Sequence, residues 1–167
     1  MANMLLVTHG TADDVLPFLA LGAALHRRGH QVTLLTHSRY AAQARASGLD
    51  FFPSDVPLAR RPAAAPVPRR LTWPLAVPDT VLIDQIRLEC KALAERHVPG
   101  RTVLIGRHGT CLSVRFAAEM LDAPVAWVAV SPAHAAAASA TLYAYETVLA
   151  TGLAEVREEL GLPPITD

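Results

Sequence analysis

Two adjacent acids stand at the start of a predicted helix, in the stretch VTHGTADDVLPFLALGAALHRRGHQVTLLT (residues 7–36). A carboxylate within hydrogen-bond reach of a hydroxyl can accept its proton, so Asp13 and Asp14 are candidates for general-base chemistry. Acids in the first turn of a helix also satisfy free backbone N–H groups and interact favourably with the helix dipole. The pair therefore has two interpretations, a helix cap and a catalytic base.

Further polar and titratable residues follow the ends of the predicted strands. In an open α/β sheet the carboxyl ends of the parallel strands meet at one edge, and ligands bind there. Loops are polar in any case, so position alone does not separate a ligand contact from an ordinary loop residue. The residues at this edge are His9, Gly10, Thr11, Asp13 and Asp14 after the first strand, His37 and Ser38 after the second, Arg107, His108, Gly109 and Thr110 after the fourth, and Ser131, Pro132 and His134 after the fifth.

Several well-defined chemical motifs are missing from the sequence. The first loop, GTADD, does not match the dinucleotide pattern G-x-G-x-x-G, and no phosphate-binding G-x-x-x-x-G-K-[ST] occurs. A G-x-S-x-G elbow and an H-E-x-x-H pair are missing too, which leaves hydrolase and zinc-protease interpretations without a motif. Cys90 and Cys111 lack metal-ligand spacing and are predicted to be reduced, buried thiols. No metal site is predicted.

The elements that must position these residues are clearest near the N-terminus. Met4 to Thr8 is a short apolar run, typical of a strand buried on both faces of a parallel sheet. Apolar residues then recur at helical spacing until the basic turn before Gly29, which predicts the end of a helix. Residues 31–36 read as the next strand, and strand, helix and strand within about thirty residues form a βαβ unit.

The alternation continues along the chain and predicts an α/β fold, a Rossmann-like doubly wound parallel sheet flanked by helices. The segment 123–145 is long enough to span a bilayer, but its prolines and histidine favour a buried strand, a loop and a helix instead. Residues 53–78 hold seven of the thirteen prolines and four arginines, which predicts an irregular excursion. Within it Trp73 could stack on a ligand or anchor the loop to the core. The remaining predicted elements are a helix at 38–47, a strand at 49–53, a helix at 79–97, a strand at 102–106, a helix around 111–121 and an amphipathic helix near the C-terminus.

Composition limits the remaining function classes. The 167 residues suit one domain, and 15 basic against 15 acidic residues give no footprint for nucleic acid or an anionic membrane. The N-terminus lacks a basic region and a cleavage site, so it does not read as a signal peptide, and a cytoplasmic protein is predicted. Fourteen arginines against one lysine, with abundant alanine, are typical of a GC-rich bacterial gene.

The stretch from the first strand to the second resembles the opening of GT-B glycosyltransferases, especially the sterol and natural-product (macrolide, glycopeptide, enediyne) transferases. In that family a strand is followed by Gly-Thr-x-Gly-Asp-Val-x-Pro and then Ala-Leu-x-x-x-Leu-x-x-x-Gly-His-x-Val. RFAAEMLDAPVAWVAVSP and VREELGLPP are similar to later parts of the family's N-terminal half. The matching residues are Gly10, Thr11, Asp14, Val15, Pro17, Ala20, Leu21, Leu25, Gly29, His30 and Val32.

The resemblance implies that residues 1–167 form a single Rossmann-like domain that binds the acceptor. In the family a second domain binds the nucleotide sugar, and the sugar is transferred between the domains with inversion and without a metal. The donor motif His-Cys-Gly-x-x-Thr is missing from this sequence. We therefore expect a nucleotide-sugar co-substrate held mainly elsewhere, no other cofactor, and little activity from this chain alone. The chain would be half of a longer enzyme or would act with a second polypeptide.

The resemblance also assigns roles to individual residues. Asp14 aligns with the family residue that accepts the proton of the acceptor hydroxyl. Asp13 stands where the family usually has glycine, and its charge would lie near the donor diphosphate. His9 either assists Asp14 or is structural. The predicted substrate-binding residues are His9, Gly10, Thr11, Asp13, Trp73, His108, Ser131 and His134.

Two alternatives remain open beside a transferase for a lipophilic natural product, such as an antibiotic. One is a non-catalytic binding module that works with a separate donor-domain polypeptide. The other is a flavodoxin-like or related nucleotide-binding domain. If the chain is part of a transferase, or a binding module that works with a donor domain, it has an apolar face meant for that second domain. This face would be exposed in the chain alone, which predicts self-association.

Overall fold

The structure, a computed structural model, describes residues 1–56 and 79–164. The predicted excursion at 53–78, with Trp73, falls almost wholly outside the described residues. The elements are β1 (Asn3–Val7), α1 (Ala12–Arg27), β2 (Gln31–Thr36), a 3₁₀ turn (Ser38–Tyr40), α2 (Ala41–Ala46), β3 (Asp50–Pro53), α3 (Asp79–Arg96), β4 (Thr102–Arg107), α4 (Leu112–Leu121), β5 (Val125–Val128), α5 (Pro132–Val148) and α6 (Ala150–Glu159).

The five described strands form one parallel sheet in the order β3-β2-β1-β4-β5. β1 lies at its centre, with Asn3 paired to Gln31 of β2 on one side and to Thr102 of β4 on the other. The chain thus first winds outward from β1 to β3 and then returns to the other side of β1. This reversal is the doubly wound topology predicted from the sequence. In such sheets ligands bind beside the carboxyl ends of the strands at the reversal, which are β1 and β4 here.

Alternate residues of the central strands pack into two cores, one on each face of the sheet. Leu6 of β1 packs with Phe18 of α1, on the face of the sheet that α2 also covers. Leu5, one position before it, packs on the opposite face with Leu93 of α3 and Val114 of α4. All five side chains are fully buried, which is why β1 reads as an uninterrupted apolar run rather than an alternating one.

The end of α1 is built as the sequence predicts. The Gly29 N–H donates to the carbonyl of His26, and the His30 N–H donates to that of Leu25, which satisfies two carbonyls of the last turn. Gly29 has φ +83°, a left-handed conformation that glycine adopts without the usual steric cost. The closed end directs the chain straight into β2.

β5 departs from the prediction of a buried strand. Val125 and Trp127 on one face of it are 37% and 41% exposed, and Ala126 is exposed as well. β5 is an edge strand of the described sheet, paired only to β4, so its position leaves its apolar residues open. The apolar run alone therefore did not separate a central strand from an edge strand.

Candidate functional site

Asp14 is a buried acid at the carboxyl edge of the sheet and makes three polar contacts. Its Oδ2 accepts the Thr11 N–H at 2.9 Å and the Thr11 hydroxyl at 3.1 Å, and its Oδ1 lies 3.0 Å from Nη2 of Arg107. The Thr11 contacts are those of a residue that caps its own helix. The cap interpretation is confirmed for Asp14, and the residue is also buried at the end of β1, where a ligand would approach.

Arg107 ties the β1 loop to β4. Its Nη1 donates to the carbonyl of His9 at 3.1 Å while its Nη2 meets Asp14, and the guanidinium is buried. Its Nε has no hydrogen-bond partner among the described residues. A buried cation is costly unless it is paired, so the ion pair with Asp14 stabilises Arg107. The pair also holds the loop after β1 against the end of β4.

Gly10 fits the backbone of this loop around the Asp14 carboxylate. Gly10 has φ +123°, and a Cβ placed on it would lie 2.2 Å from Asp14 Oδ2. A side chain at this position would displace the carboxylate. Asp13, one residue before Asp14, is exposed in the first turn of α1, so the two adjacent acids have different surroundings.

His9 belongs to a buried polar cluster that the sequence did not predict. Its Nε2 lies 2.7 Å from Oε1 of Glu89, and its Nδ1 lies 3.0 Å from the Gln85 amide nitrogen. Gln85 also donates to Glu89, and the Ser113 hydroxyl donates to the other oxygen of Glu89. The two ring nitrogens of His9 thus lie next to residues of α3, and Nε2 meets Glu89 as a close ion-pair contact without hydrogen-bond geometry.

Glu89 is held ionised inside the protein by these neighbours. Burial alone would raise the pKa of Glu89, but the charge of His9 and the hydrogen bonds of His9, Ser113 and Gln85 bring that pKa below its usual value. One signal of this cluster is present in the sequence. Glu89 lies on the same face of α3 as Ile86 and Leu93, and an acid on an apolar helix face must be buried with partners.

A second histidine and acid meet after β2 and β3. Nδ1 of His37 lies 2.7 Å from Oδ1 of Asp55, and the Ser38 N–H donates to Oδ2 of the same carboxylate at 2.6 Å. Partial burial would raise the pKa of Asp55, yet the hydrogen bonds from Ser38 and His37 and the His37 charge lower it overall. From the sequence, His37 was expected at this edge but was not predicted as a site residue, because its partner Asp55 lies eighteen residues away along the chain.

An apolar cleft of ≈ 310 Å³ opens beside β5. The exposed His108 lies at its wall, with its ring 6.3 Å from that of Trp127. Arg115 in the same wall is paired with Glu146 of α5. The residues around the cleft are His108, Gly109, Thr110, Cys111, Leu112, Arg115, Ala118, Val125, Trp127 and Leu142.

The cleft adjoins the His9 cluster. A smaller cavity of ≈ 30 Å³ is lined by His9, Gln85 and Glu89, and Thr110 and Leu112 line both spaces. The loop after β4 is therefore the wall between an apolar cleft and the polar edge of the sheet.

The structure brings most of the predicted site residues to the same edge. His9, Gly10, Thr11 and Asp14 form one contact group, and His108 lies in the adjoining cleft. Ser131 directly precedes α5, and its carbonyl accepts the Ala135 N–H at 3.0 Å. Trp73 and the His134 side chain lie outside what the structure describes.

The described part of the chain holds neither a metal cluster nor a helix that could span a membrane. Among residues 1–56 and 79–164, no group of three histidines, cysteines or acids is arranged to hold a metal ion. None of the helices in the same ranges combines the length and the hydropathy that crossing a bilayer needs.

The sequence pattern of the glycosyltransferase family 28 N-terminal domain matches residues 4–97, more than half of the chain. The chain belongs to this family. The match begins in β1 and ends just after α3, so the family segment contains Asp14, His9, Glu89 and His37. The resemblance seen in the sequence is confirmed.

Curated relatives of this family 28 domain are similar over a short segment. A sterol 3-beta-glucosyltransferase of Arabidopsis thaliana is 46% identical over 44 residues, which is 26% of this chain and 7% of the relative. A sterol 3-beta-glucosyltransferase of Candida albicans is 41% identical over 49 residues, 29% of this chain and 3% of the relative.

Solved glycosyltransferases share the fold over nearly the whole family 28 chain. SsfS6 of Streptomyces sp. SF2575 superposes with a TM-score of 0.60 at 19% identity, covering 100% of this chain and 48% of that one. CalG4, the calicheamicin glycosyltransferase, gives a TM-score of 0.65 at 18% identity over 97% of this chain and 43% of its own. The fold is thus the N-terminal half of a GT-B enzyme, and the chain spans less than half the length of these structures.

Proposed function

We propose that this chain is the acceptor-binding N-terminal part of an inverting glycosyltransferase that moves a sugar from a nucleotide sugar to a hydroxyl of a lipophilic natural product. One observation carries the proposal: an apolar cleft adjoins the polar edge of the sheet, with the loop after β4 as their common wall. A lipophilic acceptor needs such a cleft for its body and polar groups for its reacting hydroxyl.

The lining of the cleft supports an acceptor of low polarity. Trp127 and Val125 are exposed on β5, and Leu142 faces them from α5. Small-molecule sites are mostly apolar with a few polar groups that fix the orientation of the ligand, and here His108 and Thr110 supply those groups. The sterol glucosyltransferase relatives are named for an acceptor of this kind.

Asp14 is the proposed acceptor of the hydroxyl proton. An ionised carboxylate offers about four lone-pair positions, and Thr11 and Arg107 occupy three of them. In the proposed step the acceptor oxygen bonds to the anomeric carbon while its proton passes to Asp14. The bond from that carbon to the diphosphate breaks at the same time, and the nucleotide diphosphate leaves with the electron pair.

The donor is proposed to bind mainly to another part of the enzyme, a further domain or a partner polypeptide, as the length of the solved relatives suggests. Asp13, exposed beside the loop, would lie near the donor diphosphate, where its negative charge disfavours binding. The cytoplasmic location, the bacterial source and a role in antibiotic biosynthesis remain predictions.

A transfer assay tests this proposal. The chain is combined with its donor-binding part, in one reading frame or as two polypeptides, and given UDP-glucose and cholesterol. We expect a steryl glucoside, a several-fold higher KM for cholesterol in Trp127→Ala, and no change in Val98→Ala, an exposed apolar residue that does not line the cleft. Asp14→Asn is expected to lower kcat about 10²–10⁴-fold.

The same assay separates the alternatives. Cholesterol binding without transfer in any combination would favour a non-catalytic binding module. Nucleotide binding by this chain alone would favour a nucleotide-binding domain. Transfer that survives Asp14→Asn undiminished would remove Asp14 from the role of base.

A further inference from the structure

Arg39 follows β2 and reaches across to the loop after β1. It belongs to the 3₁₀ turn at Ser38–Tyr40, and its Nη2 donates to the carbonyl of Gly10 at 2.6 Å. Its guanidinium also lies over the ring of the buried Tyr40, with 4.8 Å from Cζ to the ring centre. These two contacts hold the guanidinium in place at the carboxyl edge of the sheet.

The guanidinium of Arg39 keeps most of its hydrogen-bond donors free. The Gly10 carbonyl takes one of its five N–H groups, and no carboxylate within residues 1–56 and 79–164 forms an ion pair with it. Arg107, by contrast, is buried against Asp14, and Arg115 in the wall of the apolar cleft is paired with an acid of α5. Arg39 therefore offers an exposed positive charge with an ordered set of donors.

Gly10 joins Arg39 to the proposed base. A Cβ placed on Gly10 would lie 2.2 Å from Asp14 Oδ2, so the residue whose carbonyl accepts Arg39 also packs against the Asp14 carboxylate. The Arg39 guanidinium thus lies on the same loop as the reacting groups of the proposed transfer.

The order of the sheet gives the direction from the cleft to Arg39. The apolar cleft lies beside β5, Asp14 follows β1 and Arg39 follows β2, so the base stands between the cleft and the guanidinium along the edge. In a displacement with inversion, the leaving group departs on the side opposite to the attacking oxygen. An acceptor that enters from the cleft therefore directs the leaving diphosphate toward the β2 side.

Two acids on this side of the edge leave Arg39 unpaired. Asp55 is held by the His37 ring and the Ser38 N–H. Asp13 is exposed in the first turn of α1. A diphosphate that binds here needs a cation to offset these negative charges, and Arg39 is placed to supply it.

We propose that Arg39 binds the diphosphate of the nucleotide-sugar donor and stabilises the nucleoside diphosphate as it leaves. The inference rests on the proposed function. The acceptor oxygen bonds to the anomeric carbon as its proton passes to Asp14, and the bond from that carbon to the diphosphate breaks with its electron pair on the diphosphate. The guanidinium meets this charge with parallel N–H groups, which suit phosphate oxygens.

The affinity for donor and product tests the assignment in the complete enzyme, the chain combined with its donor-binding part. With UDP-glucose and cholesterol, Arg39→Gln is expected to raise the KM for UDP-glucose and the inhibition constant of UDP about tenfold, with the KM for cholesterol unchanged. Arg39→Lys keeps the charge without the planar donors and should fall between the two. Arg45→Gln, an exposed arginine of α2, is the control and should equal wild type.

A purely structural role of Arg39 gives a different pattern. If Arg39 only holds the loop after β1, Arg39→Gln disturbs Asp14 and changes kcat and the KM for cholesterol. The inhibition constant of UDP then stays at the wild-type value. That pattern would overturn the inference.

Calorimetric titration of the complete enzyme with UDP, without acceptor, separates this inference from the proposed function. If no sugar is transferred but Arg39→Gln weakens UDP binding, the proposed function is wrong and the diphosphate contact stands. If the enzyme is active and Arg39→Gln binds UDP as wild type does, the proposed function stands and Arg39 is not the contact. A wild-type enzyme that neither transfers sugar nor binds UDP would overturn both.

Discussion

Asp14 accepts hydrogen bonds from Thr11 at the start of its own helix and forms an ion pair with Arg107 of β4. The Thr11 contacts are local, whereas the Arg107 contact joins residues separated by most of the family segment. The Asp14 carboxylate therefore holds the conformation of residues 9–14. Gly10 leaves room for this carboxylate because it has no Cβ.

Gly10→Ala is predicted to destabilise the protein and disturb the site. The left-handed φ costs about 1–3 kcal/mol for a non-glycine residue, and the new Cβ would collide with Asp14 Oδ2. Gly29→Ala is the matched control, because it has φ +83° with nothing within 4 Å of the added atom. Urea unfolding should show a larger loss for Gly10→Ala, and equal losses would contradict the collision.

Both cysteine thiols are predicted to be inert in the folded protein. Burial raises the pKa of Cys90 and of Cys111 to about 12, so at about pH 8 almost no thiolate is present. A thiol reagent such as DTNB should label neither residue until guanidinium unfolds the chain. Rapid labelling of the native protein would show that the thiols are reached without global unfolding.

The sequence could predict those parts of the site that depend on neighbours along the chain. Asp14 and Thr11 are three residues apart, so helix capping connects them from the sequence alone. Arg107, Glu89 and Asp55 meet their partners only through the fold, across 98 residues in the case of Arg107 and the His9 carbonyl. The spacing of neighbouring residues in the sequence does not indicate such a pairing. The two histidine–acid pairs were not predicted for this reason.

At the scale of elements, α3 supplies the acid and the amide of the polar cluster around His9. It carries Gln85 and Glu89 one turn apart, and both contact His9. The same helix packs Ile86 and Leu93 into apolar cores on either side of that cluster. The position of His9 thus depends on how α3 is packed.

Glu89→Gln is predicted to reduce the sensitivity of the fold to acid. The folded-state pKa of Glu89 is below its usual value, so the unfolded chain binds more protons as the pH falls. The stabilisation from Glu89 is present above the unfolded pKa and is lost as the pH falls through the folded one. Glu89→Gln should therefore show a flatter loss of stability below about pH 4.5.

The neutral amide also weakens the native contacts, so at pH 7 we expect a loss of about 1–3 kcal/mol. Glu95→Gln, an exposed acid of the same helix, is the control and should leave both quantities unchanged. Acid titration of the unfolding midpoint, followed by circular dichroism, gives the comparison. Parallel pH curves for wild type and Glu89→Gln would exclude Glu89 as the titrating group.

The elements themselves were largely predictable because their signals are periodic and local. The apolar run of β1, the helical spacing of α1 and the glycine stop at Gly29 each follow from a few adjacent residues. The exposure of β5 was not predictable in this way. An apolar run reports that a strand can be buried, while its place in the order of the sheet decides whether it is.

At the scale of the whole molecule, the open edge of β5 and a net charge of zero act together. Val125 and Trp127 expose apolar surface beside a strand edge that no other described strand pairs with, and at neutral pH no net charge keeps two copies apart. Self-association of the isolated chain is therefore predicted, with sedimentation that shifts to larger species as concentration rises.

Val125→Lys is expected to weaken that association, because a charge on an edge strand opposes strand pairing. Val98→Lys adds the same charge at another exposed valine and is the control. Sedimentation of wild type as a monomer at every concentration would contradict the prediction. An equal effect of the two substitutions would place the contact elsewhere.

The central position of β1 also governs the order in which the chain can fold. Asn3 finds its β2 partner at Gln31, but its partner on the other side, Thr102, is 99 residues away. Contacts between distant residues form late, because a long loop must close before they are gained. On the ribosome, β1 is made before β4 and therefore waits for it, with one of its edges not yet paired to that strand. During that interval Leu5, Leu6 and Val7 form an exposed apolar segment that chaperones can bind.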